Sequence, residues 1–119
     1  MAWTDYSSAP AAGTVICPAT QITGVHAMMV MTGRGGFPLI LVREGDLVRA
    51  FVNACPHQYL PLDYRGNNLL SADGSRLLCT AHGASFDKRT GEPVSGADCA
   101  LDAVPVSIRG GDIVIAPDP

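Results

Sequence analysis

Cys55-Pro56-His57 and Cys79-Thr80-Ala81-His82 are the two stretches on which the reading of this chain turns, with 21 residues between His57 and Cys79. Each pairs one soft thiolate with one imidazole at short spacing. Each also sits at or after a run of strand-forming residues, Leu47 to Val52 for the first and Arg76 to Cys79 for the second. A strand that runs into a loop can aim two side chains at one point, so two such loops side by side offer two sulfur and two nitrogen donors. The 4 cysteines could instead form two disulfides, but that use belongs to short secreted chains with too little core. Here 47% of residues are hydrophobic and only 16% charged, which is enough to build a core without staples. Two of the cysteines have a histidine within three residues, and that pairing points to a metal.

Two metal chemistries compete for this donor set. Tetrahedral zinc accepts two thiolates and two imidazoles, but finger spacing groups cysteines with cysteines and histidines with histidines. A two-iron, two-sulfide cluster suits mixed loops better. Each loop then supplies one ligand to each iron, so one iron receives both cysteines and the other both histidines. Cys-x-His followed by Cys-x-x-His resembles the Rieske family. The likeness continues through Pro61-Leu62, through His82-Gly83-Ala84-Ser85-Phe86-Asp87 to Thr90-Gly91-Glu92, and into Pro93 to Gly96, similar to the family's proline-bearing loop over the cluster. It covers roughly residues 38 to 116. The gap between the motifs is longer than is common in the family, and a hairpin around Asn67 to Ser75 would absorb the excess.

The resemblance implies one [2Fe–2S] cluster bound by Cys55, His57, Cys79 and His82, with the histidine side nearest solvent. It implies an all-β fold, a Rieske-like antiparallel β-sandwich with a small cluster-binding subdomain. It also implies one-electron transfer between redox protein partners, a reductase as donor and an oxygenase or reductase as acceptor, and no bond-making chemistry. Members with high potential place a serine hydroxyl two residues after the second histidine and a tyrosine two further on, and join their ligand loops by a disulfide. Ala84 and Phe86 stand at the hydroxyl positions here, and Leu60 and Ala81 at the disulfide positions. Without donors that favour the more negative reduced cluster, the expected potential lies low in the Rieske span, on the order of −150 to 0 mV.

The remainder of the chain agrees with a strand-rich fold. Thirteen Gly and nine Pro favour short strands and tight turns. Strands are expected at Thr14 to Cys17, His26 to Thr32, Leu39 to Arg43, Leu47 to Val52, Val104 to Ile108 and Asp112 to Ala116. Turns are expected at Gly33 to Gly36, Glu44 to Asp46 and Gly110-Gly111, and Asp73-Gly74 is the tip of a further hairpin. No segment keeps helical apolar spacing beyond about two turns. The 119 residues fit a single domain over 1–119, with a cluster-binding subdomain at about 53–95. A net charge of −3 without a basic face argues against nucleic acid. No apolar run reaches the roughly 20 residues of a membrane span, and no export signal is visible, so the expected location is cytoplasmic.

Residues outside the motifs have plainer readings. Cys17 and Cys99 are expected as small core residues or inert thiols. His26 reads as an exposed or hydrogen-bonded strand residue, and Met28, Met29 and Met31 as core filling on a strand. Asp87, Lys88 and Arg89 read as a solvated turn. His26 is the one histidine left over; no Ser–His–acid constellation is visible around it, and one histidine is too few for the two-histidine, one-carboxylate site of a mononuclear iron centre. Three function classes therefore stand. They are an electron shuttle feeding an oxygenase, a small redox subunit of a larger reductase such as nitrite reductase, and a zinc-stabilised binding module on the same four ligands.

Overall fold

A computed structural model describes residues 3–54, 60–66, 68–80, 83–97 and 99–116. Ten strands lie among them: β1 (Val15–Pro18), β2 (Gly24–Thr32), β3 (Gly35–Glu44), β4 (Leu47–Val52), β5 (Arg76–Leu78), β6 (Ser85–Asp87), β7 (Pro93–Ser95), β8 (Ala103–Val104), β9 (Val106–Arg109) and β10 (Asp112–Ile115). All named pairings are antiparallel. The expected all-β, Rieske-like antiparallel fold is what the chain adopts. Two compact units emerge, Met1–Val52 with Ala103–Pro119, and Asn53–Asp102.

The first unit holds a four-stranded sheet in the order β2-β3-β4-β8 and a three-stranded sheet in the order β1-β10-β9. Its core follows from β3. Phe37 and the run Leu39 to Val42 are buried on both faces of the strand, as a near-continuous apolar run predicts. Trp3 and Tyr6 close over Phe37 edge to face, at ring separations of 6.3 and 5.8 Å. Arg43 ties the same sheet to the Ala19 carbonyl through its guanidinium. The β3–β4 hairpin turns at Gly45-Asp46, where Gly45 takes φ +60°. Pro105 separates β8 from β9, dividing the single strand expected at Val104 to Ile108.

One expectation fails here. Met29 and Met31 are 55% and 73% exposed, so they do not fill the core. Consecutive residues of a strand point to opposite faces, and Val30 is the residue of that stretch that turns inward. Met29 and Met31 instead lie over Gly36, where an added Cβ would stand 2.7 Å from the Met29 thioether. His26 is exposed on β2 as expected.

The second unit contains the three-stranded sheet β5-β6-β7. Leu69 and Leu70 lead into the expected hairpin. Leu70 bridges Leu77, the Ser71 amide donates to the Arg76 carbonyl at 2.9 Å, and the Leu78 amide to the Leu69 carbonyl at 2.9 Å. The tip is organised by Asp73, whose Oδ1 accepts from Ser71 Oγ, Ser75 N and Ser75 Oγ. Two strands of this unit, β6 and β7, were not anticipated as strands.

Candidate metal centre

Three of the four expected ligands, Cys55, His57 and His82, lie outside the described residues. Cys79 is described. It follows directly on β5, is fully buried, and is not part of a disulfide. Its position comes from a loop that closes on itself. The Cys79 amide donates to the Ala84 carbonyl at 2.8 Å and the Gly83 amide returns to the Cys79 carbonyl at 2.8 Å. Gly83, at φ +75°, provides the left-handed turn that this return requires.

The residues flanking both motifs are stitched together. Asn53, at the end of β4, accepts from the Leu62 amide at 2.7 Å through Oδ1 and donates from Nδ2 to Asp63 Oδ1 at 2.9 Å. These two bonds tie Asn53 to the residues that follow the first motif. The Leu62 carbonyl in turn receives the Thr80 amide at 2.8 Å and the Thr80 hydroxyl at 2.6 Å. Thr80 Oγ1 also accepts from the Arg65 amide at 2.8 Å. Residues 62–65 and Thr80 are therefore neighbours, held by bonds that span 15 to 18 residues of chain.

A third loop packs on the second motif. Gly96, at φ +78°, comes so close to Ala84 that a Cβ on it would lie 2.9 Å from the Ala84 Cα. Ser85 and Ser95 hydroxyls meet at 2.9 Å beside this approach. Ala84 and Phe86 are both buried. Asp87 bonds the Arg89 and Thr90 amides through Oδ1, so the turn expected at 87–89 is an Asp-closed turn leaving β6.

The donor set fits an iron–sulfur cluster on two counts. Described residues flanking both motifs are hydrogen-bonded to one another, and the Cys79 thiol is shielded from solvent, as suits a thiolate on the buried side of such a cluster. Among the described residues no group of three or more His, Cys, Asp or Glu converges elsewhere. Cys17 is buried against Asp112, and burial first and that carboxylate second push its thiol pKa up, away from metal binding. Cys99 is exposed.

The profile of the Rieske [2Fe–2S] domain matches residues 13–105. This chain belongs to the Rieske family. The domain carries one [2Fe–2S] cluster, which is thus the cofactor of this Rieske chain. It is 31% identical over 85 residues to the ferredoxin component of the alkene monooxygenase system of Xanthobacter autotrophicus strain ATCC BAA-1158 / Py2. That overlap covers 71% of this chain and 66% of the relative, slightly under two thirds of the relative's length. The ferredoxin of carbazole 1,9a-dioxygenase from Nocardioides aromaticivorans IC177 superimposes with a TM-score of 0.68 at 26% identity, over 91% of this chain and all of that one. A chain assigned as the small subunit of an NADH-dependent nitrite reductase from Mycobacterium tuberculosis gives 0.66 at 18% identity, over 89% of this chain and 95% of that one. At that identity the likeness shows the fold alone.

Sequence reasoning singled out the four expected ligands but passed over Asn53 and Thr80, which the structure shows bonded between the flanking segments. The signal was present. A polar residue at the end of an apolar strand, two positions before a ligand, and a hydroxyl between two ligands both invite a hydrogen-bonding role.

Proposed function

We propose that this Rieske protein is a one-electron carrier that receives an electron from a reductase and delivers it to an oxygenase. Cys55 and Cys79 would hold one iron and His57 and His82 the other, in a single functional domain over residues 1–119. The cluster supplies a one-electron couple whose potential is raised by replacing two thiolates with neutral imidazoles. The chain supplies everything else: two loops stitched at Leu62, a buried Cys79, and a third loop seated on Ala84. That stitching is the observation that supports the proposal, since it joins described residues flanking the two motifs. The reading is further supported by relatives that are ferredoxin components of oxygenase systems. Among the described residues no helix is long and apolar enough to cross a membrane.

Purified protein is expected to contain two irons and two sulfides per chain, and its reduced form to give a rhombic EPR signal with a low average g-value. Cys79→Ala is expected to lose the visible spectrum. A colourless protein containing zinc would instead establish the binding module. Electron delivery is tested by mixing the reduced protein with a Rieske oxygenase or an alkene monooxygenase and following reoxidation. Reoxidation only by a nitrite reductase catalytic subunit would overturn the oxygenase assignment in favour of the subunit reading.

A further inference from the structure

We propose that Thr80 is a positioning residue that sets the geometry of the cluster by locking the two ligand loops to the Leu62 peptide. The inference rests on the ligand assignment proposed above. Leu62 is fully buried, so neither its N–H nor its carbonyl can turn to water for a partner. Both groups are used across loops. The N–H goes to Asn53, at the entry of the first ligand loop, and the carbonyl takes two donors from Thr80, next to Cys79. The Thr80 hydroxyl then accepts from Arg65, fixing the chain beyond the first loop as well.

A threonine that only capped its own turn would bond within three or four residues. Here the hydroxyl bonds reach across 18 and 15 residues, and among the described residues none returns to the 79–84 loop. The side chain therefore acts between loops. Fixing two ligand loops in advance removes the ordering cost that the metal would otherwise have to meet, and holds donor positions close to those the cluster requires. Loosening one of these locks should let the loops drift apart, altering the ligand field before it alters the fold.

The test compares iron-loaded wild type with Thr80→Val, which keeps shape and loses the hydroxyl, and Thr80→Ser, which keeps the hydroxyl. In Thr80→Val we expect cluster absorbance to be lost to a chelator about tenfold faster, as the loss of one shielded hydrogen bond implies. We also expect a shifted midpoint potential and altered g anisotropy in the reduced EPR spectrum. Thr80→Ser should restore all three, which a role in bulk stability alone would not predict. Fragment-resolved hydrogen exchange on the wild-type holoprotein gives a readout that needs no variant: the Leu62 and Thr80 amides should exchange at least about tenfold more slowly than that of Gly66. Equal exchange at those amides, or a Thr80→Val protein matching wild type in all three properties, overturns the proposal. The two failures read differently. Wild-type protein without iron and sulfide sinks the ligand assignment and the clamp's role with it, whereas iron-loaded wild type with an unaltered Thr80→Val sinks the clamp alone.

Discussion

Gly74 and Gly96 share nearly the same left-handed backbone, at φ +74° and +78°, yet only one is crowded. A Cβ at Gly74 meets nothing within 4 Å, whereas at Gly96 it meets the Ala84 backbone at 2.9 Å. Gly74→Ala should therefore cost about 1 kcal/mol, from backbone conformation alone. Gly96→Ala should cost more, roughly 2–4 kcal/mol, because the 96 loop or the 84 loop must move. Chemical denaturation of the two variants measures the difference. The cysteines sort by the same kind of local argument. Alkylation of the native holoprotein should label exposed Cys99 first and leave buried Cys17 unmodified, and Cys79 should react only once the cluster is gone; peptide mass spectrometry reads the order. Ala84 offers a test of the low potential. Ala84→Ser adds a hydroxyl where high-potential relatives carry one, and should raise the midpoint by on the order of 40–60 mV, the one-electron equivalent of a hydrogen bond worth roughly 1 kcal/mol. Voltammetry decides it.

Short hairpins show what a sequence discloses and what it hides. The hairpin at Ser71 to Arg76 was readable because Asp-Gly at a tip between apolar runs is a turn with a mechanism. Its Asp73 carboxylate accepts three hydrogen bonds, chiefly from Ser71 and then from Ser75, and these hold its pKa well below the usual carboxylate range. The folded value is lowered, so its contribution is complete above the unfolded value of about 3.9 and is lost as pH falls toward the folded one. NMR titration should place the Asp73 midpoint well below that of a peptide aspartate, and Asp73→Ala should speed amide exchange at Ser71, Gly74 and Ser75. The strands β2, β3, β4 and β10 were legible from apolar runs bounded by Gly turns. By contrast β6 and β7 are three residues each, too short for any period to show, and exist through pairing with β5 and with each other. The methionines of β2 misled because an apolar side chain on an edge strand has no second sheet obliged to cover it. At the site, the spacing of Cys and His suggests the ligand chemistry proposed above. The clamp was not, because a contact between Thr80 and Leu62 depends on how two distant loops return.

Across the molecule, the two compact units differ in what holds them. The first buries Phe37, the run Leu39 to Val42, Phe51 and Ile113 to Ile115, a core that owes nothing to metal. The second has a smaller apolar centre at Leu62, Leu77 and Phe86, together with buried Cys79. Stripping the cluster with a chelator should raise hydrogen exchange by about tenfold or more in residues 53–66 and 79–84 while leaving β2, β3 and β4 protected. Equal loss across both units would show that metal binding and folding of the whole chain are one event. The rungs Ala50↔Val104 and Phe51↔Ala103 have a consequence of their own. Chain leaves β4 for the excursion Asn53–Asp102 and comes back onto the adjacent ladder, so departure and arrival points already sit side by side. Such an insert behaves as a cassette: it can be lengthened, exchanged for another, or cut away and bridged by a tight turn, and the ladder it leaves and rejoins need not be rerouted.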